Sequence, residues 1–164
     1  MIIIYHCYGG THSSVMAASL HLELLPGDRK PAGKELLALP YFDRQSSADF
    51  GKIFYMGQDE KGHEIFIMGC KNAGYIVERA LINFCKIKGI NPDEIMIVDT
   101  VPCLNILMRV GGFISRSLHL ETVGRLFLIP GCRIAFNKIV KVVNRVKNKK
   151  VSALTERNVN RIMS

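Results

Sequence analysis

The sequence predicts an α/β fold: a three-layer sandwich with a mainly parallel sheet and one antiparallel hairpin strand, in a single domain over residues 1–147. Three observations carry this. Apolar runs of strand length alternate with stretches rich in helix formers. Most of those runs are apolar throughout, the pattern of strands covered on both faces. Two of them, residues 52–58 and 64–70, are separated only by Asp59-Glu60-Lys61-Gly62-His63, which suits a hairpin.

Taken in order, residues 1–8 form a buried strand that meets a turn. Residues 13–25 are rich in helix formers, with Ser13 or Ser14 as the cap and Pro26-Gly27 as the stop. Pro26, Pro31 and Pro40 punctuate a connection that contains one short helix over residues 33–39. After the hairpin, Asn72 caps a helix through Lys88, with Ile76, Ala80, Leu81, Phe84 and Ile87 on its inner face. Residues 94–99 form another buried strand, and residues 105–118 a helix weakened by Gly111-Gly112. Residues 126–129 read as a last short strand, Pro130-Gly131 as a break, and residues 133–147 as a basic helix. Residues 148–164 read as a basic tail.

Composition narrows the class. Hydrophobic residues make up 48% and charged residues 22%, which suits a folded domain rather than a disordered chain. No apolar stretch reaches the ~18 residues of a membrane span. Met1-Ile2-Ile3-Ile4 lacks both the length and the basic flank of a signal peptide, so a cytoplasmic protein is expected. The five cysteines (Cys7, Cys70, Cys85, Cys103, Cys132) include no C-x-x-C pair, which argues against a zinc site or a disulfide framework. No metal is expected, and no cofactor is indicated.

The net charge of +8 belongs to the last third of the chain. Residues 103–164 carry twelve Lys or Arg against Glu121 and Glu156, whereas residues 1–102 carry ten basic and twelve acidic residues. The amphipathic stretch 133–150 suits a membrane surface or an acidic partner, and equally a helix packed on the sheet with a charged outer face. No nucleic-acid motif supports RNA or DNA binding there.

The loop after the first strand, Cys7-Tyr8-Gly9-Gly10-Thr11-His12-Ser13-Ser14, is the most informative segment. In parallel sheets ligands bind beyond the carboxyl ends of strands. Gly9 and Gly10 let the backbone turn inward. Thr11, Ser13 and Ser14 add hydroxyls, and the following helix adds unpaired N–H groups and the positive end of its dipole. Together they suit a small phosphorylated or anionic ligand. Cys7 at the strand end is the candidate nucleophile, since donors and dipole favour a thiolate. His12 and Asp99, the latter ending the strand at 94–99, are the proton-transfer candidates. His6 alternates to the opposite sheet face from Cys7. Arg109 and Arg116, two helical turns apart, could add positive charge to the loop.

The spacing resembles two known loops. Cys7, Gly9, Ser14, Met16 and Ala17 are in register with the C-x-G-x-x-x-R-S loop of low-molecular-weight tyrosine phosphatases and arsenate reductases. Ser13 stands where that loop has its arginine, so the bidentate phosphate clamp is missing. Cys7, Gly10, Ser13 and Ser14 match the cysteine loop of sugar phosphotransferase B components of the lactose and cellobiose type, which needs no arginine. The nucleoside-triphosphate pattern G-x-x-x-x-G-K-[ST] is absent. The whole Y-H-C-Y-G-G-T-H-S-S block, with Arg109-Val-Gly-Gly-Phe-Ile-Ser-Arg116 and the basic C-terminal helix, resembles an uncharacterised bacterial family of Firmicutes that carries a domain of unknown function. That resemblance implies a shared fold and brings no activity. A non-catalytic nucleotide- or anion-binding module, or an interaction protein acting through the basic helix, is the alternative function.

Overall fold

The computed structural model describes residues 1–148. They form an α/β domain around a four-stranded mixed sheet in the order β2-β3-β1-β4. The strands are β1 (Ile2–Cys7), β2 (Ile53–Gln58), β3 (Glu64–Gly69) and β4 (Ile95–Asp99). β1 pairs in parallel with β3 on one side and β4 on the other, while β2 and β3 are antiparallel. The hairpin and the apolar parallel strands thus fall where the sequence puts them. The basic tail lies outside the described residues beyond residue 148.

Alternation along β1 divides its side chains between two cores. Ile3 and Tyr5 join the large core with Val15, Met16, Ile139 and Val143. That core holds α1 (Ser13–His21), all nine residues of which are buried, between the sheet and α5 (Glu121–Asn148). Ile4 points the other way and joins a smaller cluster with Met68, Cys70, Val77 and Leu81, which places α3 (Gly74–Ile87) there. α2 (Gly33–Ala38) buries Leu36 in the large core.

Three expectations need correction. The inner face of α3 is Val77, Leu81 and Cys85, spaced by four; Ile76, Phe84 and Ile87 are exposed. Two apolar stripes run along this helix, and periodicity alone cannot say which one packs. The strand expected at 126–129 is helical, since α5 begins at Glu121 and runs through Pro130. Leu128, Cys132, Ala135, Ile139, Val143 and Val146 are buried at helical spacing along it, and that burial outweighs the ~3 kcal/mol that an interior proline costs. The first helix is also shorter than expected, ending at His21, and neither Ser13 nor Ser14 caps it: the cap position is His12.

α4 (Ile106–Arg116) lies against the first half of α5 at backbone distance. A Cβ on Gly111 would come 2.5 Å from the Leu128 nitrogen. One on Gly124 would come 2.6 Å from Ser115 Cβ, and one on Gly131 2.7 Å from the Met108 nitrogen. Asn105 fixes the start of the seam: its side chain accepts from the Met108 N–H and donates to the Gly131 carbonyl. Gly111→Ala is therefore expected to cost about 2 kcal/mol by overpacking, measured by urea unfolding. Gly27→Ala, with no atom within 4 Å of the added carbon, should stay within about 0.5 kcal/mol of wild type.

Candidate functional site

The loop from Cys7 to Ser14 lies at the carboxyl ends of β1 and β3 and leads into α1. Its glycines serve a close approach of two backbones. A Cβ on Gly10 (φ 70°) would come 2.5 Å from both the Gly69 nitrogen and the Gln45 side chain. One on Gly69 would come 2.8 Å from the Gly9 carbonyl.

The sulfur of Cys7 sits inside this bend, and the residue is 3% exposed. It accepts a hydrogen bond from the Gly10 N–H at 3.1 Å and lies 3.2 Å from Ser14 Oγ. Ser14, seven residues on, is brought back by the first turn of α1. Thr100 Oγ1 donates to the His6 carbonyl at 2.8 Å, so the 3.0 Å contact with Ser13 Oγ uses the serine's proton. Thr11 Oγ1 donates to the Tyr41 carbonyl and accepts from the Arg44 N–H. All three loop hydroxyls are thus bonded within the protein. The first bond inside α1 runs from Met16 N–H to the His12 carbonyl, which leaves the N–H groups of Ser13, Ser14 and Val15 ahead of it.

The segment 41–45 closes over the loop. Asp43 N–H donates to the Thr11 carbonyl, and the Gln45 amide, turned with its nitrogen toward the loop, donates to the Gly10 and Gly9 carbonyls at 2.8 and 3.2 Å. Tyr41 (φ 62°) and Asp43 (φ 54°) are left-handed without being glycine, a conformation the surrounding bonds must hold.

Asp43 is the centre of this closure. Its fully buried carboxylate accepts from His12 Nε2 at 3.2 Å, Ser115 Oγ at 2.8 Å and Arg125 Nε at 3.0 Å. Arg116 donates to its backbone carbonyl, and Arg125 also meets Glu121 at 2.7 Å. His12, buried against Phe42, rests on α4 at Gly112, where a Cβ would come 3.1 Å from its ring. Burial pushes the Asp43 carboxyl up, but the hydrogen bonds and charge of His12 and the bonds from Ser115 and Arg125 outweigh it and hold it below the ordinary aspartate value.

The residues expected to act together are divided. Cys7, His12 and the loop hydroxyls lie on the α1 side of the sheet. Asp99 is in register with His6 on the α3 side, half exposed, and its Oδ1 accepts from the Val101 N–H at 2.8 Å as a turn residue does. Arg116 turns toward Asp43 while Arg109 is exposed. Burial holds the thiols of Cys70, Cys103 and Cys132 above their ordinary value. Among the described residues no three His, Cys, Asp or Glu side chains come together as a metal site, and no helix is long and apolar enough to cross a membrane. Sequence reasoning missed Asp43, Gln45, Ser115 and Arg125. Its one available signal was Gly111-Gly112: the first glycine admits α5 and the second admits His12.

His21 and His63 belong to a separate polar chain. Tyr5 Oη meets His21 Nδ1 at 2.7 Å, His21 Nε2 meets Asp59 at 3.0 Å, and His63 meets the same carboxylate oxygen at 2.9 Å. The chain ties the hairpin turn to α1 and the central strand.

The family described as Protein of unknown function (DUF3189) matches residues 2–148. No curated protein and no solved structure matches the chain.

Asp43 supports the fold fully above about pH 4, the range of an unfolded aspartate, and loses that support as pH falls through its lowered native value. Asp43→Asn is expected to cost about 2 kcal/mol at neutral pH. The gap to wild type should narrow steadily as unfolding is followed from about pH 4 down to about pH 2. A gap that stays constant over that range would mean that the carboxylate charge is not what holds the segment.

Proposed function

The chain belongs to this family of unknown function, and from that premise we propose that it is an oxyanion-binding α/β protein working at residues 7–14, with Cys7 as the nucleophile of a phosphoryl transfer. One observation carries the reading: a backbone N–H and a serine hydroxyl both reach the Cys7 sulfur at the amino end of α1. Donors so placed suit a sulfur anion, and the leading amides of α1 suit the ligand's oxygens.

In this reading the thiolate attacks phosphorus of a phosphomonoester and the bond to the leaving oxygen breaks. His12, held by Asp43, gives that oxygen its proton, and water then releases phosphate from the sulfur. The ligand enters when segment 41–45 withdraws, and its return excludes water. The domain is read as cytoplasmic and bacterial, a three-layer sandwich over residues 1–147 ahead of a basic tail at 148–164. Asp99 would serve protons from the α3 side only.

A second reading, a non-catalytic anion module, is favoured by the burial of Cys7 and by the internal bonds of Thr11, Ser13 and Ser14.

Alkylation of the whole chain by iodoacetamide, resolved by peptide mass spectrometry, tests both. Cys7 should react at least about tenfold faster than Cys132, phosphate should protect it, and Ser14→Ala should slow it. Phosphate at 100 times its Kd should stabilise the fold by ~2.7 kcal/mol in thermal melts. Stabilisation with an inert Cys7 selects the second reading. Neither effect in a folded protein would discard both.

A further inference from the structure

The side of the α4–α5 hairpin turned away from the sheet has no part in the site above. The seam between the two helices runs antiparallel: Gly111 meets Leu128, Ser115 meets Gly124 and Met108 meets Gly131. One residue turns an α-helix by about 100°. In an antiparallel pair, the positions just after the seam residues therefore lie on one side and those just before them on the other. The side after the seam is the inner one. Gly112 meets the His12 ring, Arg116 and Arg125 reach Asp43, and Ile129 covers Gly33.

The side before the seam consists of Val110 and Ile114 on α4 and Val123, Phe127 and Pro130 on α5. All five are apolar; Ile114 is half-buried and the other four are exposed. Ile134, one turn beyond Pro130, is 60% exposed. A helix face that meets water ordinarily carries polar or charged residues, and these positions carry none. Ile106, Phe113 and Leu126 flank them, each more than half exposed. Face and flanks together present on the order of 800 Å² of apolar surface. That exceeds the ~300–600 Å² patch of a typical monomer and is about what one partner of a stable interface buries.

Charge and shape select the partner. Arg116 and Arg125 are turned to the inner side, and no Lys or Arg stands just before a seam residue. An anionic bilayer or a nucleic acid would need cations in the contact. An uncharged face that meets its own copy buries no charge. The glycine seam holds α4 and α5 close, so their apolar stripes merge into one surface on which a second hairpin can lie, as in a four-helix bundle.

We propose that the chain forms a twofold homodimer through this face, with the α4–α5 hairpin of one protomer packed on that of its partner. The contact is independent of the Cys7 reading.

Sedimentation equilibrium of the whole chain tests this. At micromolar concentration the wild type should show twice the 18.4 kDa of one chain, and should keep that mass in about 1 M salt, where attraction between charges is screened. Val123→Glu combined with Ile134→Glu should weaken the dimer at least about tenfold while circular dichroism keeps its wild-type form. Ile106→Glu, at a flank position 77% exposed and therefore tolerant of change in the monomer, should weaken it too. Ile87→Glu, on the exposed stripe of α3, should leave the mass unchanged. A wild type that stays monomeric would overturn the inference, as would a dimer that Ile87→Glu disrupts and the α4–α5 variants do not. A monomer that co-sediments with phosphatidylglycerol vesicles would overturn it as well, by showing that a bilayer covers the face.

Discussion

One buried carboxylate holds the candidate site in its present form. Asp43 comes from an irregular segment between the first and second strands, yet its oxygens take hydrogen bonds from the amino end of α1, from α4 and from α5. A charge in that position is tolerable only because every side supplies a donor. The same bonds hold Tyr41 and Asp43 in the left-handed region, keep Gln45 on the glycine turn, and orient the His12 ring. Without the carboxylate, the segment, the loop and the helical hairpin have far less reason to sit together.

The central strand sets the other constraint. Because successive residues of β1 face opposite ways, Cys7 and His6 are neighbours in sequence but lie in different surroundings. One side gives a sulfur wrapped by donors from its own loop. The other gives an imidazole placed between a carboxylate and the start of a helix. β1 sits between β3 and β4, and α1 and α3 leave the sheet on opposite faces, so two helix amino ends flank one strand terminus. Doubly wound sheets bind ligands at such reversals.

Much of this was legible in the chain itself. Uniformly apolar runs gave the strands within a residue or two, the Asp59–His63 turn gave the hairpin, and the glycines with Cys7 and Ser14 marked the loop. What escaped was set by partners distant in sequence. Which apolar stripe of α3 packs inward depends on Ile4 and Met68, about 70 residues before Val77 and nine before it respectively. Pro130 reads as a break until the seam with α4 is known. Asp43 carries no local signature, because its partners at His12, Ser115 and Arg125 lie 31, 72 and 82 residues away. The loop hydroxyls were recognisable as donors, but their internal acceptors, the Tyr41 carbonyl and Thr100, were not.

The glycine seam between α4 and α5 has a consequence for how such a chain can vary. The connection at residues 117–120 fixes which positions of the second helix meet the first. One extra residue there would rotate everything after it by about 100°. Val123 would then take the place of Gly124 beside Ser115, and Arg125 would swing away from the carboxylate it serves. The length of that short connection is therefore constrained, and His119, in the left-handed region at φ 56°, restricts which residues suit its position. An insertion or deletion there would be felt at the far end of the sheet, where His12 meets Gly112.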